Sequence, residues 1–262
     1  MNKTNNLKNT FSSVINDYDC ARPRYPIALY DAIKQFSNIS EHDSILEIGA
    51  GTGQATELFV SENYMQDLLE VSEEQVAFLK DKYISRSNIT VQKGYFEEYE
   101  TTTKYDLIYS ATAFHWIDCE VGYPKAWNLL KEGGTLAVFW QMSSVTYRNE
   151  GIFVHLNEIQ KRYLPDHSLG FTKDGIEEVK QNRIRQIQSG GYFEKPEYYE
   201  FEWIDTYDAD RYAALINTYS STQIMDSKLR EQYLNEIREC IVLNNDGIVK
   251  LPQLVCLYMV HK

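Results

Sequence analysis

The sequence predicts an α/β fold in which helices cover a doubly wound, mostly parallel sheet. Ile45, Leu46 and Ile48 form a short apolar run, as a strand buried on both faces requires. Glycines follow at alternate positions, and residues 52–59 then begin a helix. Strand and helix segments alternate in the same way as far as residue 140, which is typical of parallel sheets with helical crossovers.

The later elements follow in chain order from periodicity and capping residues. The predicted strands are 45–48, 65–71, 89–93, 105–110, 135–140, a half-buried strand at 199–203 and a closing strand at 252–261. The predicted helices begin at Pro26, after the glycines and at Ser72, and cover 121–130, 151–163, 175–188, 208–219 and 229–241. Gly133 is expected to cap the helix before the fifth strand. Residues 1–17 are expected to be loose, and 1–262 to form one domain.

Composition limits the classes of function. The formal net charge is -12, which argues against binding to a nucleic-acid backbone or to an anionic membrane surface. No apolar run approaches the roughly 20 residues that span a bilayer, and residues 1–18 lack the apolar core of a signal peptide. The four cysteines are scattered, and no metal-ligand spacing is present in the chain. We therefore expect a cytoplasmic protein without a metal; the sequence does not indicate an oligomeric state.

The glycine turn carries the main functional signal. Glu47 precedes Gly49, Gly51 and Gly53 in the pattern E-x-G-x-G-x-G, which differs from the G-x-G-x-x-G of dinucleotide-binding folds. The pattern resembles motif I of the class I methyltransferases that use S-adenosyl-L-methionine. The resemblance implies that the turn, including Ala50 and Thr52, wraps the amino-acid end of this cofactor, and that Glu47 accepts a hydrogen bond around the cofactor's ammonium group.

An acidic residue is predicted at the tip of the second strand. Glu70 stands 21 positions after Gly49, and a carboxylate at this place in mononucleotide-binding folds holds the ribose hydroxyls. Val71 follows it in the cofactor site. The other interpretation of Glu70 is an ordinary surface glutamate of an acidic protein.

The N-terminal segment has a second resemblance. The pattern Tyr-x(3)-R-P-x-Y-P, residues 18–26, is similar to the N-terminal signature of methyltransferases related to trans-aconitate methyltransferase. The resemblance implies an arm laid over the cofactor mouth, with Tyr18 and Arg22 at the cofactor and Arg24 at the substrate. The alternative is a solvated arm.

Two further segments are candidates for the site. Tyr95, Phe96 and Glu97 stand where the family carries a loop along the adenine, although the two aromatic residues could equally be core. Ser110 and Ala111 end the fourth strand on the cofactor side. His115 and Trp116 follow in a segment where these methyltransferases commonly carry a His-Trp pair. Packing is the alternative for that pair.

The resemblance implies a Rossmann-like, seven-stranded sheet with an antiparallel last strand and a helical cap at residues 145–190. It implies transfer of a methyl group from S-adenosyl-L-methionine to a small-molecule acceptor, with O-methylation of a carboxylate favoured. A carboxylate acceptor needs no base, and His115 then donates a hydrogen bond or shapes the pocket with Trp116; a phenol or amine acceptor needs His115 as the base. The rival functions are methylation of a macromolecule and cofactor binding without catalysis.

Overall fold

The computed structural model describes residues 19, 21–142, 150–165 and 172–262. Seven strands form one sheet in the order β3-β2-β1-β4-β5-β7-β6. The strands are β1 (Ser44–Ile48), β2 (Met65–Glu70), β3 (Ile89–Lys93), β4 (Tyr105–Ala111), β5 (Leu130–Met142), β6 (Glu197–Asp208) and β7 (Ile248–His261). The first five pair in parallel and the last strands are antiparallel, which confirms the predicted fold class.

The α-helices of the described residues lie before and between the strands, with two in succession before β6 and three before β7. They are α1 (Ile27–Ser37), α2 (Thr56–Phe59), α3 (Glu73–Lys82), α4 (Cys119–Leu129), α5 (Ile152–Tyr163), α6 (Lys173–Gln188), α7 (Ala209–Asn217), α8 (Ser220–Gln223) and α9 (Ser227–Asn244). Short 3-10 turns cover Phe96–Glu98, Phe114–Trp116 and Ser189–Gly191. None of these helices is both long and apolar enough to cross a membrane.

Strand β1 lies between β2 and β4 in the sheet. Ile45 pairs with Gln66 on one side and with Leu107 on the other, and Glu47 pairs with Leu68 and Tyr109. Four of its five residues are buried, which agrees with the apolar run of the sequence. The carboxyl ends of these parallel strands meet at one edge of the sheet, where open α/β folds bind their ligands.

Two predicted helix starts are confirmed by their capping bonds. The Ser72 hydroxyl accepts a hydrogen bond from the Gln75 amide, and the Asp208 carboxylate accepts one from the Arg211 amide at 2.7 Å. Such bonds satisfy backbone donors that the first helical turn leaves without partners.

The predicted cap at Gly133 is wrong. Helix α4 ends at Leu129, because Leu130 already has extended backbone and begins β5. The register between β4 and β5 shifts after Leu130, since Tyr105 pairs with Leu130 but Leu107 pairs with Thr135. The positive φ of Gly133, +75°, therefore belongs to an irregularity inside the strand.

The chain divides into two compact units. One comprises residues 24–141, 178–201 and 255–262, and it contains the glycine turn. The other comprises residues up to 23, 142–177 and 202–254. Its core is a cluster in which Ile152 and Leu156 of α5 pack with Ile216 of α7 and with Tyr233 and Ile237 of α9.

Candidate functional site

The glycine turn folds back over the end of β2. The amides of Gly49 and Ala50 both donate to the carbonyl of Leu69, at 2.8 and 3.2 Å, and the Gly53 amide donates to the Ala50 carbonyl. Gly49, Gly51 and Gly53 all have positive φ, which side-chain-bearing residues rarely adopt. The alternate glycines are thus required by the backbone path.

The three glycines differ in what surrounds them. A Cβ on Gly49 would lie 2.4 Å from the Cβ of Ala113, and one on Gly53 would lie 2.8 Å from the hydroxyl of Tyr83. A Cβ on Gly51 would meet only the tip of Gln54, at 3.9 Å. The turn is therefore packed against the segment after β4 at Gly49 and open at Gly51, where a ligand could approach the backbone.

Glu47 is a buried carboxylate beneath the turn. Its Oε2 accepts hydrogen bonds from Thr56 Oγ1 at 2.6 Å and from the Tyr109 hydroxyl at 2.9 Å. Its Oε1 is buried and has no hydrogen-bond partner in the structure. Burial raises the pKa of Glu47 to about 7, although the two hydroxyl donors oppose the shift. A buried acceptor without a donor is costly, so a cationic donor would suit this position.

Glu70 is also buried, and its carboxylate is held by backbone amides. Oε1 accepts from the amides of Val71 and Ser72, at 2.8 and 2.9 Å, and Oε2 accepts from the Gly51 amide at 2.9 Å. Burial raises the pKa of Glu70 while the three amides act in the opposite direction. Glu70 is thus a structural part of the turn and not a surface glutamate. A carboxylate offers about four acceptor positions, so room remains for one further donor.

Lys82 and Gln54 donate hydrogen bonds to Thr52 in the glycine turn. Thr52 is fully buried; its Oγ1 accepts from Gln54 and its carbonyl accepts from Lys82 Nζ at 3.0 Å. Lys82 also pairs with Glu57 at 2.7 Å. Arg24 contacts the same carboxylate, with its Nε 3.3 Å from Glu57 Oε2. The predicted substrate residue Arg24 is therefore engaged by a carboxylate of the protein.

The end of β4 lies beside the turn. Ser110 is buried, and its hydroxyl donates to the carbonyl of Ile48 at 2.8 Å. Ala111 is partly exposed and is followed by Thr112, which has a positive φ of 52°. Ala113 is the residue that meets Gly49. These contacts bring the two segments that the sequence singled out, the turn and the segment after β4, to the same place.

His115 lies in a cluster with Trp140 and Arg183, which we call the His115 cluster. Trp140 Nε1 donates to His115 Nδ1 at 2.9 Å, and the Arg183 guanidinium carbon lies 4.5 Å above the Trp140 ring. The Trp116 ring is 4.8 Å from the His115 ring. His115 is exposed, but the protein around it still desolvates its ring. This desolvation, together with the positive charge of Arg183, lowers the pKa of His115 to about 4.

The predicted adenine residues divide between core and surface. Phe96 is buried and its ring packs 6.2 Å from that of Phe114, so the core interpretation holds for it. Tyr95 and Glu97 are partly exposed. The carbonyl of Glu97 accepts from Lys125 at 2.9 Å. Tyr95 and Glu97 remain candidates for the adenine.

The structure describes only part of the predicted N-terminal arm. Tyr18 lies outside the described residues. Arg22 belongs to the other unit, where it donates to the Thr218 carbonyl at 3.5 Å and stands 5.1 Å from the centre of the Tyr219 ring. The placement of this arm over a cofactor stays a prediction.

Sequence reasoning missed four residues of this region. Thr56 and Tyr109 hold Glu47, and Trp140 and Arg183 surround His115. Tyr109 was detectable, because it sits in a strand of apolar residues where a hydroxyl needs a buried partner. Arg183 gave no local signal, since it lies on a helix rich in charged residues.

The described residues include no group of three or more His, Cys, Asp or Glu side chains placed to hold a metal ion. The groups that the site does contain are the buried carboxylates of Glu47 and Glu70, the accessible backbone at Gly51 and the donors of the His115 cluster.

Comparisons with known proteins identify the domain that carries this site. A family model for the methyltransferase domain matches residues 45–134, which run from β1 into β5. An uncharacterised methyltransferase-like protein of Schizosaccharomyces pombe is 31% identical over 133 residues, 50% of this chain and 51% of that protein. Malonyl-[acyl-carrier protein] O-methyltransferase 2 of Ilyobacter polytropus is 32% identical over 141 residues, 53% and 52% of the two chains. The chain thus spans about half the length of these curated relatives.

A solved structure shares the fold. Phosphoethanolamine N-methyltransferase 2 of Haemonchus contortus, in complex with phosphomonomethylethanolamine and S-adenosylhomocysteine, superposes with a TM-score of 0.55. The alignment covers 96% of this chain and 57% of that one at 12% identity. Together the comparisons support the prediction of a class I, S-adenosylmethionine-dependent methyltransferase domain over residues 45–134. They do not confirm the trans-aconitate type.

Proposed function

We propose that this chain, through the methyltransferase domain of residues 45–134, transfers a methyl group from S-adenosylmethionine to an oxygen of a small-molecule acceptor. The observation that carries the proposal is the Glu47 carboxylate, which is buried under a glycine turn with one oxygen lacking a donor. A relative named as an O-methyltransferase favours oxygen as the accepting atom.

The residues of the turn fit the cofactor at both ends. Glu47 Oε1 would accept from the ammonium group of the methionine part, which supplies the cationic donor that this oxygen lacks. Glu70 has acceptor capacity left for a ribose hydroxyl once its three amide bonds are counted. Gly51 leaves the backbone open between them. When bound, the cofactor supplies an electrophilic methyl group on a sulfonium.

His115 acts in this proposal as a hydrogen-bond donor. The Trp140 indole can only donate, so His115 Nδ1 must accept and the proton of the neutral ring is on Nε2. With a pKa of about 4 the ring is neutral at physiological pH. The free edge of the ring therefore offers an N–H, which can orient an acceptor oxygen but cannot take a proton from it. An acceptor that is already ionised, such as a carboxylate, needs no base. This supports carboxylate O-methylation over methylation of a phenol or amine.

Calorimetry with S-adenosylmethionine and S-adenosylhomocysteine tests the cofactor part. The wild type should bind with a dissociation constant in the micromolar range, about -8 kcal/mol. Glu47→Gln should weaken binding by at least about tenfold, the usual scale for losing a charge-assisted bond. Glu62→Gln is the control, because that glutamate pairs with Lys34 away from the turn. No binding by the wild type would reject the proposal.

Transfer of a labelled methyl group to panels of candidate acceptors tests the predicted class of acceptor. Carboxylic acids should be methylated and their primary amides should not. Binding of the cofactor without turnover on acids, phenols, amines, RNA or protein would favour a binding protein that lacks catalysis. Turnover only on RNA or protein would favour the macromolecular class.

A further inference from the structure

Arg183 is a cation fixed next to the predicted acceptor site. It lies on α6 and is half-buried, with its guanidinium carbon 4.5 Å above the ring of the buried Trp140. Its Nη1 donates to Gln186 Oε1 at 2.8 Å, one helical turn further along. A guanidinium has several more N–H donors in its plane, so this bond leaves most of them for another partner. A cation–π contact with the indole holds the guanidinium at this place.

Within the described residues, no acidic side chain neutralises the charge of Arg183. The groups that act on it electrostatically are Tyr123, Tyr258 and Cys119, which are uncharged at neutral pH. No Asp or Glu of the described ranges pairs with it, whereas Arg24 is paired with Glu57. A half-buried cation without an anion is unfavourable, and burial accordingly lowers the pKa of Arg183. The guanidinium nevertheless stays cationic, because its ordinary pKa is above 12.

Two side chains that carry hydrogen-bond donors, His115 and Arg183, lie against Trp140. Trp140 contacts both side chains, since its Nε1 donates to His115 Nδ1 at 2.9 Å and the Arg183 guanidinium carbon lies 4.5 Å from the centre of its ring. In agreement with this arrangement, the charge of Arg183 contributes to the lowered pKa of His115. The Nε2–H of His115 and the guanidinium of Arg183 are thus offered by neighbouring groups. A flat group with two oxygens can accept two parallel bonds from a guanidinium and a third from an imidazole.

We propose that Arg183 binds an anionic group of the methyl acceptor, with the His115 Nε2–H as a second donor, and that this pair selects anionic over neutral acceptors. The inference rests on the proposed function, since it names the substrate class of the same site. The group recognised on the acceptor is a planar or tetrahedral oxyanion. We expect a carboxylate first, because it can accept two hydrogen bonds from the guanidinium and is itself a nucleophile. Arg183 takes the role that the sequence suggested for Arg24.

The test measures binding of small anions to protein saturated with S-adenosylhomocysteine. The probes are benzoate, hexanoate and phenyl phosphate, and benzamide and hexanamide serve as neutral compounds of the same shape. Binding of each probe is measured by ligand-observed NMR titration. The variants are Arg183→Gln, Arg183→Lys and, as a matched control, Arg185→Gln. Arg185 is exposed on the same helix and donates to Asn182. Circular dichroism and the affinity for S-adenosylhomocysteine show that each variant is folded and loaded.

We expect the wild type and Arg185→Gln to bind a carboxylate at least about tenfold tighter than its amide. Arg183→Gln should abolish that preference while the affinity for S-adenosylhomocysteine changes less than twofold, and Arg183→Lys should retain part of it. Preference for phenyl phosphate over the carboxylates would assign the site to phosphorylated acceptors. The proposal is overturned if anions and amides bind alike, if no probe binds the loaded wild type, or if Arg183→Gln and Arg185→Gln behave alike. Loss of S-adenosylhomocysteine binding by the wild type would instead reject the proposed function.

Discussion

Trp140 Nε1 donates a hydrogen bond of 2.9 Å to His115 Nδ1. Because an indole has a donor and no acceptor, this single contact decides which nitrogen of His115 carries its proton. The residue that the sequence offered either as a donor or as a base is therefore arranged as a donor. The conclusion depends on two strands that the sequence predicted separately, since Trp140 ends the predicted fifth strand and His115 follows the fourth.

The first prediction concerns the protonation of His115. Long-range ¹H–¹⁵N spectra of labelled protein should show its ring as the Nε2–H form, without titration between pH 6 and 8, because its pKa is about 4. In Trp140→Phe the donor to Nδ1 is lost, so both neutral forms should appear and the pKa should rise. A His115 signal that titrates near pH 6.5 in the wild type would contradict this.

The pH profile of catalysis follows from the same arrangement. With a carboxylate acceptor kcat should be flat from about pH 6 to 8, since carboxyl groups ionise near pH 4. His115→Asn should keep substantial activity, because only one hydrogen bond is lost. A rate that climbs through this range and collapses in His115→Asn would establish histidine as a base.

The sequence predicted the sheet and the backbone path of the glycine turn well because these depend on local signals. Strand β3 was predicted at its observed bounds, Glu47 and Gly49 were singled out by their resemblance to a methyltransferase motif, and Glu70 by its distance from the glycines. Gly133 was misassigned for the same reason: a glycine before a strand resembles a helix cap, and the long-range pairing with Tyr105 that extends β5 to Leu130 leaves no local mark.

The residues that were missed depend on distant parts of the chain. Arg183 meets Trp140 across 43 positions of sequence, through a helix whose charged residues look like a solvated surface. The ion pair of Arg24, whose role at the substrate stays a prediction, could not be foreseen for the same reason, because its partner Glu57 lies on α2. Side-chain pairing across elements is set by packing, which a pattern along one segment does not contain.

The second prediction separates backbone strain from steric clash in the glycine turn. Gly49→Ala should lower the free energy of unfolding by about 2–4 kcal/mol, since it combines a positive φ with a Cβ 2.4 Å from Ala113. Gly133→Ala has nearly the same φ, +75° against +73°, but nothing within 4 Å of the added carbon, and should cost only about 1 kcal/mol. Urea unfolding measures both. Equal losses would show that the contact with Ala113 relaxes without cost.

The third prediction links cofactor affinity to pH through Glu47. Its pKa is raised to about 7, so the residue is largely protonated below that pH and must release a proton before it can accept from a cationic ammonium. The affinity for S-adenosylhomocysteine should therefore fall as the pH drops below 7, by up to about tenfold per unit. Calorimetry from pH 5.5 to 7.5 measures the slope. Glu47→Gln should bind weakly with a flatter profile, and an identical slope in that variant would place the titrating group elsewhere.

The fourth prediction tests whether Glu70 both builds the turn and binds the cofactor. Its two oxygens accept three backbone amides, from Gly51, Val71 and Ser72. Glutamine has one oxygen, so in either orientation of its amide at least one backbone donor would face an NH₂ group. Glu70→Gln should therefore lose about 1–3 kcal/mol of unfolding free energy, the cost of a buried donor without a partner. If Glu70 also holds the ribose as proposed, the variant should bind S-adenosylhomocysteine more weakly than the wild type does.

The neighbouring exposed Glu73, which pairs with Lys93, provides the control: Glu73→Gln should change neither unfolding nor binding. Urea unfolding and calorimetry on the same samples separate the two roles of Glu70. If Glu70→Gln lost stability but bound S-adenosylhomocysteine like the wild type, Glu70 would hold the turn without contacting the ribose. If it unfolded like the wild type, the three amide bonds would not stabilise the turn, and the structural role assigned to Glu70 would be wrong.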